Sequence, residues 1–338
     1  MKRLVALLPC LLFAALVSAG DPVALDRDGV LWRVHATAEG TLLVGTRDGT
    51  EVARSLVPFP LGIAGQVDRN FQLVADETTG KVVLLWQRQW GEFASDVVLA
   101  VWNGSDWERV SYLGGEASLA ARNPVLKLAM ASSSYPDPED PHKSIEVKET
   151  FALALWWQGI GEAGHAKLAV LALASSPEEE GALRAFDVTP DVGIGFGCSK
   201  PLPIDLLEHP TFTSAPPGPV AHFLVVNPST CLLFVQEVGF QLKPPSQEDG
   251  GLQAVELRRR HTPIFGVRRV LPPTRQLVVE GTRAVLGADL QPVLYRVTPE
   301  GVEYTVATAS GWSAPRLLKL EEGLSLEQAL DLVTGLAR

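Results

Sequence analysis

Residues Arg69-Asn-Phe-Gln-Leu-Val-Ala75, Val82-Val-Leu-Leu-Trp-Gln87 and Val97-Val-Leu-Ala-Val-Trp102 form a trio of short apolar runs that recurs almost at once. The second trio is Arg122-Asn-Pro-Val-Leu-Lys-Leu128, Phe151-Ala-Leu-Ala-Leu-Trp-Trp-Gln158 and Ala166-Lys-Leu-Ala-Val-Leu-Ala172, in the same order. A more diverged version runs through Ala221-His-Phe-Leu-Val-Val226 and Cys231-Leu-Leu-Phe-Val-Gln236. Each run has strand length and strand composition, and Gly-containing turns at Asp28, Glu39, Asp48, Thr79, Asn103 and Glu300 punctuate the chain. Repeated groups of short strands that cannot bury their faces alone predict an all-β chain, a β-propeller whose blades stack on one another. Groups near residues 23–60, 66–115, 120–175, 205–240, 250–272 and 280–320 give five or six blades. A β-sandwich uses the same strand lengths and stays as the alternative, with the paired Trp-Gln repeats favouring the propeller.

Outward from this repeat, the ends differ from the middle. Lys2 and Arg3 precede an apolar run from Leu4 to Val17, and small residues Ser18-Ala19-Gly20 follow, the pattern of a secretion signal over residues 1–20. The run is too short for a membrane span, and no later segment is long enough, so no transmembrane segment is expected. Pro9 stands where a lipoprotein site would want a small residue before Cys10, which argues against lipidation. Residues 21–338 are then one β domain, periplasmic or extracellular, ending in a short helix. For that helix, Ser325 and Gln328 have capping-box spacing, and Leu326, Leu330, Val333 and Leu336 or Ala337 share a face.

The chain has 29 Lys and Arg against 39 Asp and Glu, a net charge of −10. Losing Lys2 and Arg3 with the signal takes this to −12, which speaks against nucleic acid as a partner, since phosphate binding needs a concentrated positive field. Cys198 and Cys231 are the two cysteines beyond the signal, and an even pair in an exported chain predicts a disulfide. In the chain-entropy model it contributes on the order of 3–4 kcal/mol. Ser132-Ser-Ser-Ser-Tyr-Pro-Asp-Pro-Glu-Asp-Pro141 reads as an exposed loop, too rich in Pro and acid for a strand. Further insertions fall at 175–180 and 243–251.

The units resemble those of secreted bacterial β-propellers of the sialidase-like or Kelch-like type, over most of residues 25–320. Sialidases carry Asp boxes of the form Ser-x-Asp-x-Gly-x-Thr-Trp, of which degenerate forms stand at Gly104-Ser-Asp-Trp107 and Ser310-Gly-Trp-Ser313. The family's catalytic Tyr-Glu pair and arginine triad have no motif-matched positions in this chain.

Candidate chemistry is therefore weighed residue by residue. Arg69-Asn70 and Arg122-Asn123 head two units, with Arg283 and His209 at comparable places. If these positions converge at one mouth, the arginines would grip a carboxylate or sulfate by forked hydrogen bonds. Equally, a repeated Arg ties each blade to the next. Trp86-Gln87 and Trp157-Gln158 combine a stacking ring with an amide, as sugar recognition uses, or are wedges between blades. Glycoside hydrolysis needs two facing carboxylates. Asp76, Glu77, Asp96, Asp106, Glu162, Asp191 and Glu237 are available, and Glu237 ends an apolar strand. No metal-binding spacing occurs among the six histidines, and no nucleotide loop, nucleophile elbow or complete calcium loop is present, although Asp26-Arg-Asp-Gly29 has the start of one. No cofactor is implied. Arg258-Arg-Arg-His261 with Arg268-Arg269 is a basic island, a docking patch or a charged strand edge. These residues favour an exported, non-catalytic binding or scaffold module, with a glycan or an envelope protein as the kind of partner. A sialidase-like glycosidase and a peripheral component of an envelope assembly are the alternatives.

Overall fold

The computed structural model describes residues 22–58, 66–91, 94–114, 120–137, 140, 142–174, 182–190, 201–242, 261–272, 278–309, 311–319, 329 and 332–333. Among the described residues five antiparallel sheets follow one another along the chain, each a meander whose strands pair in sequence order, except that the last strand of the fifth pairs with that sheet's third. The first is β1 (Val23–Leu25), β2 (Leu31–Thr37), β3 (Gly40–Arg47) and β4 (Thr50–Leu56), and the second is β5 (Val67–Ala75), β6 (Val82–Gln89), β7 (Ser95–Trp102) and β8 (Trp107–Tyr112). The third is β9 (Ala121–Pro136), β10 (Ser144–Gln158), β11 (His165–Ala172) and β12 (Leu183–Asp187). The fourth is β13 (Thr211–Phe212), β14 (Val220–Asn227), β15 (Leu232–Leu242) and β16 (His261–Leu271), preceded by a one-turn helix α1 (Ile204–Leu207). The fifth holds β17 (Arg283–Leu286), β18 (Pro292–Thr298), β19 (Gly301–Thr308), β20 (Gly311–Trp312) and β21 (Arg316–Leu318).

The first strand of each sheet touches the first strand of the next: β1 meets β5, β5 meets β9, β9 meets β13 and β13 meets β17. Inner strands side by side, with the sheets fanning outward, are the blades of a β-propeller. Five sheets exclude a two-sheet sandwich. The sixth group expected at 250–272 is not a separate blade, because β16 pairs with β15 from Leu233↔Leu271 to Leu242↔His261 and completes blade four. The insertion before it made one blade read as two. A second correction concerns the loop expected at 132–141: β9 and β10 pair as far as Ser144↔Pro136, so Ser132–Pro136 is strand and extends a hairpin. Polar contacts suit this solvated extension, with the Ser132 hydroxyl donating across the strands to Glu146 Oε1 at 3.0 Å and Lys148, on the same strand as Glu146, 3.2 Å from it.

Strand faces alternate between the two neighbouring blades. In β6, Val82, Leu84 and Trp86 pack toward blade one, and Val83 and Leu85 toward blade three, which is why the strand is apolar at nearly every position. Blades three and four share the largest seam, with Leu153, Leu155, Trp157, Phe223 and Phe234 and a Phe151–Phe240 ring stack at 3.9 Å. Blades four and five join through Leu224, Leu233, Leu286 and Leu294, with Leu206 and Leu207 of α1 inserted. The other face of blade five is covered by Ala329 and Val333, both fully buried and helical. Burying a Val or Leu side chain contributes about 1.5–3 kcal/mol, so these few residues hold the C-terminal segment against the blade. The expected capping residues Ser325 and Gln328 lie outside the described residues.

Candidate functional site

The heads of the inner strands of blades two to five enclose a cavity of about 330 Å³ lined by Asn70, Gln72, Asn123, Pro124, Val125, His209, Pro210, Thr211, Arg283, Ala284, Val285 and Tyr295. Its geometry begins with two matching irregularities. In blade two the register steps from Arg69↔Gln87 to Gln72↔Leu85, and in blade three from Arg122↔Trp157 to Val125↔Leu155. Each is a bulge setting two residues against one, and a bulge re-aims side chains. Asn70 and Asn123 occupy the same place in each and take left-handed backbone angles, φ 55° and 50°. Among non-glycine residues Asn tolerates that region best, because its short amide can bond locally.

The bulges decide which member of each Arg-Asn pair faces the axis. Asn70 and Asn123 line the cavity, whereas Arg69 and Arg122 do not. Arg69 is exposed, and Arg122 turns sideways to Glu208 Oε2 at 2.9 Å. The expected convergence therefore holds for Asn70, Asn123, His209 and Arg283, and fails for Arg69 and Arg122. Strict strand alternation, assumed in placing the arginines, breaks at the extra residue.

The tryptophans are also placed differently. Trp86 and Trp157 are both 0% exposed, which leaves no face for a sugar to stack on, and neither lines the cavity. Trp86 lies in the seam of blades one and two beside Phe71, and Trp157 in that of blades three and four, clamped over Gly164. A Cβ on Gly164 would sit 2.2 Å from Trp157 Nε1. By register, the equivalent of Trp86 is Trp156, one residue earlier than the Trp-Gln alignment suggests. Gln87 and Gln158 are buried props: Gln87 accepts from Asn70 Nδ2 at 3.0 Å and Gln158 from Trp156 Nε1 at 2.9 Å.

Sequence reading gave α1 no role, and the following residues build one wall of the mouth. With Leu206 and Leu207 anchored in the core, His209 reaches the cavity and Asp205 and Glu208 stand beside it. Glu208, its side chain 3% exposed, uses both oxygens: Oε2 takes Arg122 and Oε1 takes the Gly161 backbone N–H at 2.8 Å. Its backbone carbonyl accepts from Asn123 Nδ2 at 2.9 Å. Asp205 Oδ1 receives Arg283 at 3.1 Å and faces His209 Nε2 at 3.5 Å. Burial first, and then the Arg283 guanidinium, push the His209 pKa down to about 4, against the opposing pull of Asp205. Burial also raises the Tyr295 hydroxyl, partly offset by Arg283, to which it is hydrogen-bonded. Around the mouth thus stand two guanidinium–carboxylate pairs, Arg283 with Asp205 and Arg122 with Glu208, beside an imidazole that is uncharged at neutral pH.

Below Val125 on the same face of β9, the Lys127 ammonium bonds the Thr213 carbonyl at 2.9 Å and the Ala215 carbonyl, and burial lowers its pKa. Among the described acids, Asp76 staples its own turn through Thr78 and Thr79, and Asp96, raised by burial, accepts the Val97 and Gly114 backbone N–H groups. Glu237 sits with Arg268 and, at 3.4 Å, His222. None of Asp76, Glu77, Asp96, Asp106, Glu162 and Glu237 lines the cavity, and Asp191 lies outside the described residues. Asp26, the start of the calcium-like stretch, spends its oxygens on Asp28 N, Val30 N and Trp32 Nε1. Among the described residues no group of three or more His, Cys, Asp or Glu could hold a metal ion. Within the basic island, Arg269 bonds the Thr308 carbonyl of blade five, while Arg258 to Arg260 lie outside the described residues.

No family model and no curated protein matches this chain. Among solved structures it is similar to a subtype N11 neuraminidase-like protein of A/flat-faced bat/Peru/033/2010 (H18N11), with TM-score 0.37 and 10% identity, over 88% of this chain and 71% of that one. It is also similar to the xylan beta-1,4-xylosidase from Bacillus halodurans C-125, with TM-score 0.28 and 13% identity, over 88% of this chain and 54% of that one. At such scores neither likeness carries an argument about activity.

Proposed function

We propose that the protein is an exported, non-catalytic binding module that takes a small polar ligand into the cavity at the heads of its inner strands. The observation that carries this reading is the engagement of the charges at the mouth: Glu208 has both oxygens occupied, and Arg283 is paired with Asp205. Acid catalysis of glycoside cleavage asks for two carboxylates held about 5–9.5 Å apart across the scissile bond, one of them able to give a proton. The described acids considered for that task, Asp76, Glu77, Asp96, Asp106, Glu162 and Glu237, stand outside the cavity. Export rests on the charged and apolar pattern of residues 1–20. Among the described residues no helix is long and apolar enough to cross a membrane. Burial of Ala329 and Val333 against blade five counts against the C-terminal segment as a docking arm of an envelope assembly.

The test is a thermal-shift screen of the mature chain with small sugars and acids, run beside hydrolysis assays on fluorogenic glycosides, sialosides included. Stabilisation without turnover is expected; turnover abolished by Asp205→Asn would replace the binding module with an enzyme. The Cys198–Cys231 disulfide belongs to the same reading. Non-reducing peptide mapping is expected to find the two peptides joined, with reduction costing on the order of 3–4 kcal/mol of unfolding free energy.

A further inference from the structure

We infer that the cavity selects an uncharged, polyhydroxylated ligand of about monosaccharide size, read by carboxamides rather than by arginine. The inference rests on the binding-module reading above and names its ligand class. Its first support is the fixed orientation of Asn123. A backbone carbonyl only accepts, so the 2.9 Å bond to the Glu208 carbonyl must use Asn123 Nδ2, leaving Oδ1 as an acceptor without a hydrogen bond among the described residues. Asn70 holds the matching place in blade two with its amide bonded to the Gln87 amide at 3.0 Å, and its second amide atom makes no hydrogen bond among the described residues. The preset Asn123 acceptor matches a ligand hydroxyl donor and disfavours a carboxylate or sulfate, whose oxygens would meet it as like partial charges. Gln72, two residues beyond Asn70, lines the same cavity and makes no hydrogen bond among the described residues, so its amide offers both a donor and an acceptor.

The second support is charge. Among the described residues Arg283 is the one cation lining the cavity, and Asp205 already sits 3.1 Å from it, so an anion must compete with a covalently tethered carboxylate. With His209 uncharged above about pH 4, this wall is close to neutral overall. Third is the shape. Pro124, Pro210 and Val285 supply apolar surface among the amides, the mixture suited to a sugar's C–H face and hydroxyl edge. A volume of about 330 Å³ lies at the small end of ligand sites, which run from about 300 to 1,000 Å³.

The experiment is isothermal titration of the full mature chain with glucose, galactose, mannose and N-acetylglucosamine in one arm, and with glucuronate, N-acetylneuraminate and inorganic sulfate in the other. A neutral sugar is expected to bind at least tenfold more tightly than any acid. Asn70→Gly/Asn123→Gly, which keeps the left-handed backbone while removing both carbonyls, is expected to weaken that binding at least tenfold. Because Asn123 also tethers Glu208, Gln72→Leu serves as the second variant: its side chain makes no hydrogen bond among the described residues, and a loss of threefold or more is expected with the fold unchanged by circular dichroism. Preferred binding of an acid that is lost in Arg283→Gln overturns the inference and leaves the binding module standing. No heat from either arm overturns both.

Discussion

Blades two and three begin with the same Arg-Asn pair, form the same bulge and hold Asn at almost the same φ, yet their arginines end in different surroundings. Arg122 is half-buried against Glu208, a residue contributed by the segment leading into blade four. Arg69 is exposed and carries no ion pair among the described residues. The repeat therefore specifies what lies within a blade, the bulge and the inward Asn, while the neighbouring blade specifies what the adjacent cation does. Blade two has its own buried cation on the opposite flank. Arg88 is 3% exposed and makes a two-pronged contact at 2.8 Å with Asp68, which also accepts from Thr41 of blade one.

The comparison breaks hardest at Arg88. Replacing it by Met leaves Asp68 buried without its counter-charge, and loss of one partner of a buried pair costs about 3–5 kcal/mol. Urea unfolding is expected to show that loss, and a change below about 1 kcal/mol would show that the latch holds nothing. Glu208→Gln is expected to cost about 2–3 kcal/mol by stranding Arg122, whereas Arg69→Ala stays within about 0.5 kcal/mol. Equal costs for the two would erase the distinction between the blades.

A pH series sharpens the picture of the mouth. The native His209 pKa of about 4 lies below the ordinary unfolded value of about 6.5, so the unfolded chain takes up a proton first as the pH falls. Its contribution is whole above about pH 6.5 and is lost progressively down to about pH 4. On the order of 1–2 kcal/mol of pH dependence in that window is expected to vanish in His209→Gln. The smallest effect tests the equivalence itself. Asn70→Ala and Asn123→Ala force alanine into the left-handed region at about 1–2 kcal/mol each, and the Gly variants are expected to recover part of it. Clearly unequal backbone penalties, with the Gly variants as reference, would mean that the two bulges are not the same device.

Much of the architecture was legible because it is written in short-range pattern. The paired trios and their turns fixed the strand order, and continuous apolarity in Val82–Gln87 reflects a strand covered on both faces. Misreadings came where pairing is long-range. The 250–272 group belongs to blade four because β15 and β16 are one hairpin across a long insertion, and Ser132–Pro136 is strand because β10 extends opposite it. In the site, Asn70, Asn123, His209 and Arg283 were in the right neighbourhood. The missed signal was Asn itself, the residue that best tolerates φ near 50°, repeated at the same place in two units.

By itself the sequence determined the all-β repeat, the acidic balance and the inter-blade role open to each buried tryptophan, since composition, turn chemistry and spacing are local properties. Only the tertiary structure decided that asparagine rather than arginine faces the axis, that Glu208 and Asp205 absorb the cations, and that four blades share one small cavity. A one-residue bulge reverses which side chain points inward, and an ion pair forms between residues as far apart as Arg122 and Glu208 only after the blades have docked.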